Sequence, residues 1–119
     1  MQQPTGQERL VVPGESHIRT VVARICDRFS PSRIIVFGSV ARGDAKPGSD
    51  LDVLVVFDEV SDRRGLAIAI RRLLADLPVP KDVVVASTGE LAEKARSSWH
   101  LVGAAVREGR VVFPAPATK

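Results

Sequence analysis

Val36 to Phe57 reads VFGSVARGDAKPGSDLDVLVVF. One apolar run ends at Phe37, a Gly-Ser pair and a polar loop follow, and a second apolar run opens with Asp50-Leu51-Asp52. Side chains two apart on a strand leave the same face, so Asp50 and Asp52 project together, roughly 6–7 Å apart along the chain. Two carboxylates so placed repel each other unless a cation lies between them. Whether that cation is a catalytic metal depends on what the rest of the chain brings to the same place.

The flanking sequence supplies strands and helices in alternation. Arg33 to Phe37 and Leu51 to Phe57 are apolar, β-branched runs of strand length, and Asp82 to Ser87 (DVVVAS) is a third. Ile18, Val21, Val22, Ile25, Cys26 and Phe29 recur with a helical period from Glu15. Ser30-Pro31 ends that helix, because the residue before a proline is pushed out of the α region. Leu66, Ile70, Leu73, Leu74 and Leu77 mark one face of a helix between Ser61 and Leu77, while Arg63, Arg64, Arg71 and Arg72 point elsewhere, reading first as a solvated face and second as a contact for RNA or an acidic partner. Ser87 with Glu90 fits a capping box that opens further helical sequence, with a break near Ser97-Ser98 and a stop at Gly109. Arg110 to Phe113 is a short last strand. The order predicts an α/β (α+β) fold, a sheet covered by helices.

A chain of 119 residues suits one domain. The expected layout is a flexible leader over 1–14, a domain over 15–113 and a tail over 114–119. Hydrophobic residues make up 45% of the sequence, enough for a packed core. The net charge of +3 is too small to argue by itself for a nucleic-acid partner. A single cysteine, Cys26, rules out an intrachain disulfide, and its place on the apolar stripe reads as core. No apolar stretch has the length of a membrane span, and the first sixteen residues lack the basic-then-apolar pattern of a signal peptide. The expectation is a cytoplasmic protein with no membrane contact. His17 and His100 are single and far from the motif, so neither is expected in metal or acid–base work. Trp99 reads as a helix-packing residue or a partner-interface anchor.

Gly38 lets the backbone approach a bulky group, and a short helix opening at Ser39 would turn free N–H groups and a hydroxyl outward as a phosphate site. The GxxxxG spacing of Gly38 and Gly43 is not a P-loop, because Asp44-Ala45 stand where Lys-Ser/Thr would be required. Asp50 and Asp52 offer the hard oxygens that magnesium prefers, and Asp82, at the start of its own strand, offers a third carboxylate. Two such ions about 3.5–4 Å apart can bracket an in-line displacement at phosphorus. For the end of strand one to meet the starts of strands two and three, strand one must be antiparallel to both. Strands two and three must then be parallel, joined by a right-handed helical crossover.

Gly38-Ser39, ten residues, then Asp50-Leu51-Asp52 matches the signature of the DNA polymerase beta-like nucleotidyltransferase superfamily. The fuller FGSVARGDAKPGSDLDVLV and the closing REGRVVF resemble its minimal nucleotidyltransferase branch, over roughly Ile18 to Phe113. The resemblance implies a mixed sheet with flanking helices and transfer of a nucleoside monophosphate from ATP or another NTP to a hydroxyl, using two Mg2+ ions. It implies that Gly38 and Ser39 hold the β- and γ-phosphates and that Arg42 steadies the triphosphate. Ser49 joins the nucleotide-binding set by orienting Asp50. The resemblance likewise implies that Asp50 and Asp52 would ligate both metal ions and that Asp82 would ligate the catalytic one and help deprotonate the acceptor. Many minimal members resemble the antitoxin of HEPN/minimal nucleotidyltransferase toxin–antitoxin pairs, which transfers AMP to a tyrosine of the HEPN ribonuclease toxin. This sequence has no tyrosine, so a tyrosine acceptor lies on another molecule. Two other readings stand beside it: transfer to RNA or a small hydroxylated molecule, and a non-catalytic module that binds a nucleotide or partner.

Overall fold

The computed structural model describes residues 11–94 and 101–115. In chain order these form α1 (Glu15–Arg28), β1 (Arg33–Phe37), α2 (Ser39–Arg42), β2 (Leu51–Phe57), α3 (Arg63–Leu73), β3 (Lys81–Ser87), α4 (Thr88–Lys94), α5 (Leu101–Glu108) and β4 (Arg110–Phe113). The four strands make one mixed sheet in the order β3-β2-β1-β4. β1 is antiparallel to β2 and β4, whereas β2 and β3 are parallel across the α3 connection. These are the directions that convergence of Gly38 with the carboxylates requires.

Two cores sandwich the sheet, and strand alternation decides which residue enters which. Leu51, Val53, Val55, Val83 and Val85 face Ile18, Ile25, Ile70 and Leu74 of the α1 and α3 layer. Ile35, Phe37, Leu54, Val56 and Ala86 face Leu91, Val102 and Ala105 of the α4 and α5 layer. A strand covered on both sides reads as an unbroken apolar run, which is why Leu51 to Phe57 shows polarity only at Asp52. Each large side chain so buried contributes about 1.5–3 kcal/mol. Cys26 packs against the first core, and burial raises its thiol pKa, as befits a residue without a reactive role.

Local chemistry sets the boundaries. The Gly14 N–H donates to His17 Nδ1 at 3.1 Å, so His17 caps α1. Ser87 and Glu90 form the reciprocal capping box at α4, with Ser87 N–H to Glu90 Oε1 at 3.0 Å and Glu90 N–H to Ser87 Oγ at 3.2 Å. Two expectations need correction. α3 stops at Leu73 rather than Leu77: beyond it the Ala75 and Leu77 N–H groups donate only three residues back, to Arg72 O and Leu74 O. Arg24 of α1 donates to the Leu73 carbonyl at 3.2 Å, and Pro78 bars Leu77 from resuming the helix. The expected leader also begins to pack earlier than residue 15. Val11 lies on the core, Pro13 is buried, and Gly48 N–H donates to Val11 O at 3.2 Å. The expected break near Ser97-Ser98, Trp99 and His100 lie outside the described residues, as do 1–10 of the leader and 116–119 of the tail. Among the described residues no helix is long and apolar enough to cross a membrane.

Candidate active site

Strand register builds the site. Phe37, the last residue of β1, pairs with Asp52, and Asp52 pairs with Asp82 across the parallel ladder. Asp52 therefore stands between the start of the Gly38-Ser39 turn and the Asp82 carboxylate. Alternation along β2 puts Asp52 on the α4 and α5 side, and Asp50, two residues earlier, projects the same way.

Gly38 has φ 75° and ψ −152°, a conformation that side chains with a Cβ resist. A Cβ added there would lie 2.1 Å from Asp52 Oδ2. Glycine is thus demanded twice, by the backbone and by the carboxylate it touches. α2 then turns back on itself, with Arg42 N–H to Gly38 O at 3.0 Å and Gly43 N–H to Ser39 O at 3.0 Å. The first-turn amides of α2 have no intrahelical acceptor and are open to an anionic group.

Arg42 is exposed and its Nε lies 3.4 Å from Asp44 Oδ2, and its charge also reaches Asp52. Ser49 closes a turn: its Oγ accepts from Lys46 N–H at 2.8 Å and its N–H donates to Lys46 O at 2.9 Å. The hydroxyl is thereby engaged within the loop, and it fixes where the chain enters Asp50. Val11, through its bond to Gly48, clamps the same loop from outside. That clamp was invisible in the sequence, where Val11 sits among prolines and glycines.

The electrostatics are those of an acid cluster that one exposed arginine, Arg42, only partly offsets. Burial raises the Asp52 pKa, Asp82 and Asp50 raise it further, and Arg42 opposes them. Among the described residues no three His, Cys, Asp or Glu side chains form a ready-made metal cluster. The carboxylates repel one another, and rotation about their side-chain bonds would draw them round a cation. The donor set fits a hard divalent ion such as Mg2+: carboxylate oxygens only, on one sheet face, beside a glycine-led turn able to take phosphate.

Fold and site together define a class. The nucleotidyltransferase domain family matches residues 18–112, and the chain belongs to that family. More particularly, it is 53% identical over 34 residues to the protein adenylyltransferase MntA of Thermococcus cleftensis (strain DSM 27260 / KACC 17922 / CL1). That stretch is 29% of this chain and 34% of MntA, so the match spans about a third of that relative's length. A crystal structure of a Sulfolobus solfataricus protein, thought to be a nucleotidyltransferase, superposes with a TM-score of 0.57 at 20% identity. The superposition covers 93% of this chain and 89% of that one, and it shows the shared fold.

Proposed function

We propose that the protein is a Mg2+-dependent nucleotidyltransferase that moves AMP from ATP to a hydroxyl of a partner protein, acting as the antitoxin that modifies a HEPN-type toxin. The observation that carries this reading is the position of Asp52, between Gly38 and Asp82 and without a hydrogen bond among the described residues. Family membership supports the reaction class, and the MntA stretch supports a protein acceptor.

Two bound Mg2+ ions would supply the positive charge that neutralises the triphosphate and the departing pyrophosphate. Asp50 and Asp52 would hold both ions, and Asp82 would complete the shell of one. The α2 turn, through Gly38 and Ser39, binds the β- and γ-phosphates, and Arg42 offsets their charge. Asp82 accepts the proton of the acceptor hydroxyl as its oxygen bonds to the α-phosphorus. The bond from that phosphorus to the bridging oxygen breaks, and pyrophosphate leaves with the electron pair. Ser49 contributes by holding the loop from which Asp50 emerges.

The test is incubation of the purified protein with Mg2+ and α-labelled ATP in an extract of its own host, beside an Asp52→Asn variant. Label on a protein band, lost in the variant and with EDTA, is the expected result. Label on RNA or a small molecule would keep the chemistry and move the acceptor. No label with any NTP, despite intact Mg2+–ATP binding, would leave a binding module.

A further inference from the structure

β3 is an edge of the sheet, and among the described residues nothing pairs with its outer side. Leu51 N–H donates to Pro80 O at 2.8 Å, so Pro80, Asp82 and Val84 turn their backbone groups toward β2. Val83 and Val85 therefore turn theirs outward. The Val83 carbonyl confirms this direction, since it accepts from Arg71 Nη2 at 3.2 Å.

Between this edge and α3 runs a groove of about 450 Å³, lined by Arg63, Arg64, Ala67, Arg71 and the strand from Asp82 to Val85. Arg64, Ala67 and Arg71 are spaced i, i+3, i+7 and so share one helical stripe, which the sequence alone leaves between a solvated face and a contact for RNA or an acidic partner. Ala67 keeps the floor low, and the guanidinium groups stand along the wall. Arg63 is paired with Glu90 at the far end. Arg71 spends one donor on Val83, and Arg64 has no ion pair among the described residues. Asp82 closes the opposite end, where the proposed chemistry lies.

Resting on the transferase reading above, we infer that this groove receives the acceptor: an extended, acidic segment of the modified protein, laid along β3 with its hydroxyl residue at Asp82. The outward Val83 N–H and the Val85 N–H and carbonyl offer strand pairing to a polypeptide, and Arg64 together with the donors Arg71 does not spend on the Val83 carbonyl offers charge-assisted bonds to its carboxylates. The span from Asp82 to Ser87 is about 16 Å, matching about five extended residues. The acidic cluster at Asp50, Asp52 and Asp82 repels the segment's carboxylates, so only the neutral hydroxyl residue advances to the reacting phosphorus. RNA could meet the arginines but has no peptide groups for the strand edge.

The probe is a short fluorescein-labelled peptide alternating glutamate and threonine around one tyrosine, followed by anisotropy on the full chain without nucleotide. Binding about tenfold tighter than to the same peptide with lysine for glutamate is expected. Arg64→Glu/Arg71→Glu should abolish that preference. Arg64→Gln/Arg71→Gln, which keeps a donor for Val83, should reduce it even if the reversal fails to fold. Backbone N-methylation of the peptide should weaken binding with its charge intact. Equal binding by wild type and both variants, no binding at all, or binding of an oligouridine that the peptide cannot displace would overturn the proposal. Adding Mg2+ and α-labelled ATP separates the two readings. A peptide that binds as described, with no label taken by it or by any component of a host extract, sinks the transfer reaction and leaves the track standing. Transfer to a protein unaffected by both arginine variants does the reverse.

Discussion

The two ends of the β2–β3 pair use acidic residues to opposite effect. At the far end Asp62 accepts from Gly65 N–H at 3.0 Å, Glu90 accepts from Ser87 N–H and pairs with Arg63, and Asp58 accepts from the Thr88 hydroxyl at 3.2 Å. At the near end no hydrogen bond reaches the Asp50, Asp52 or Asp82 carboxylates among the described residues. The ionisation follows the surroundings. The Ser87 N–H, then the Arg63 charge, holds Glu90 below the usual carboxylate range, whereas burial and two neighbouring carboxylates push Asp52 above it. Even the glycines differ. A Cβ on Gly65 would strike the Asp62 carboxylate at 2.3 Å where that carboxylate already receives the Gly65 N–H, while at Gly38 the carboxylate touched is Asp52, with no bond to satisfy it. Acids that hold the fold sit among donors; the acids proposed to hold a cation do not.

The sharpest break in this contrast is Asp52→Asn. On the proposed role of Asp52 as a metal ligand, its removal forfeits several kcal/mol of metal-borne charge stabilisation and should cut transfer by at least about 10³-fold in a label-incorporation assay. The same substitution should raise the melting temperature of the metal-free protein by a few degrees, because it removes a repelled charge. A catalytic loss accompanied by destabilisation would mean that Asp52 supports the fold. Next in size is Gly38→Ala, which forces a Cβ onto Asp52 and an unfavourable backbone. Urea denaturation should show a loss of about 1–3 kcal/mol, together with inactivity. At the far end, Glu90→Ala removes half of the capping box and should cost about 1 kcal/mol by the same measurement, with Mg2+–ATP binding retained.

The pH dependence should differ in sign between the ends. Glu90 has a lowered pKa, so its contribution is present above the ordinary glutamate value of 4.5 and is lost as pH falls through the lower folded value. Asp52 has a raised pKa, so it destabilises the metal-free fold increasingly as pH rises from its ordinary 3.8 through the higher folded value. Denaturation midpoints of Glu90→Gln and Asp52→Asn against pH should therefore diverge from wild type in opposite directions. Parallel curves would mean that the acids at the two ends do not differ in their effect on the fold.

The features legible in the sequence were those encoded by near neighbours. The Ser87–Glu90 box, the α1 stripe and the alternation of DLDVLVV each depend on residues within a turn or a strand, and convergence of Gly38 with the aspartates requires the directions of β1, β2 and β3. The features that escaped depend on distant partners. Arg24 ends α3 from another helix, Val11 clamps the Gly48 loop across the chain, and Arg71 caps an edge carbonyl of β3. No local pattern announces such contacts. Ser49 shows the intermediate case: its nearness to Asp50 was plain, but its engagement with Lys46 required the folded loop.

The measurement that bears most directly on the central claim is a Mg2+ titration in the presence of ATP, followed by thermal unfolding of wild type and Asp52→Asn. At a hundredfold excess over the dissociation constant, bound ligand stabilises by about 2.7 kcal/mol, which is several degrees for a domain of this size. The account predicts a saturable rise for wild type and little or none for the variant. An equal rise in both would contradict it, because the cation would then be held somewhere other than the carboxylates that meet at Asp52.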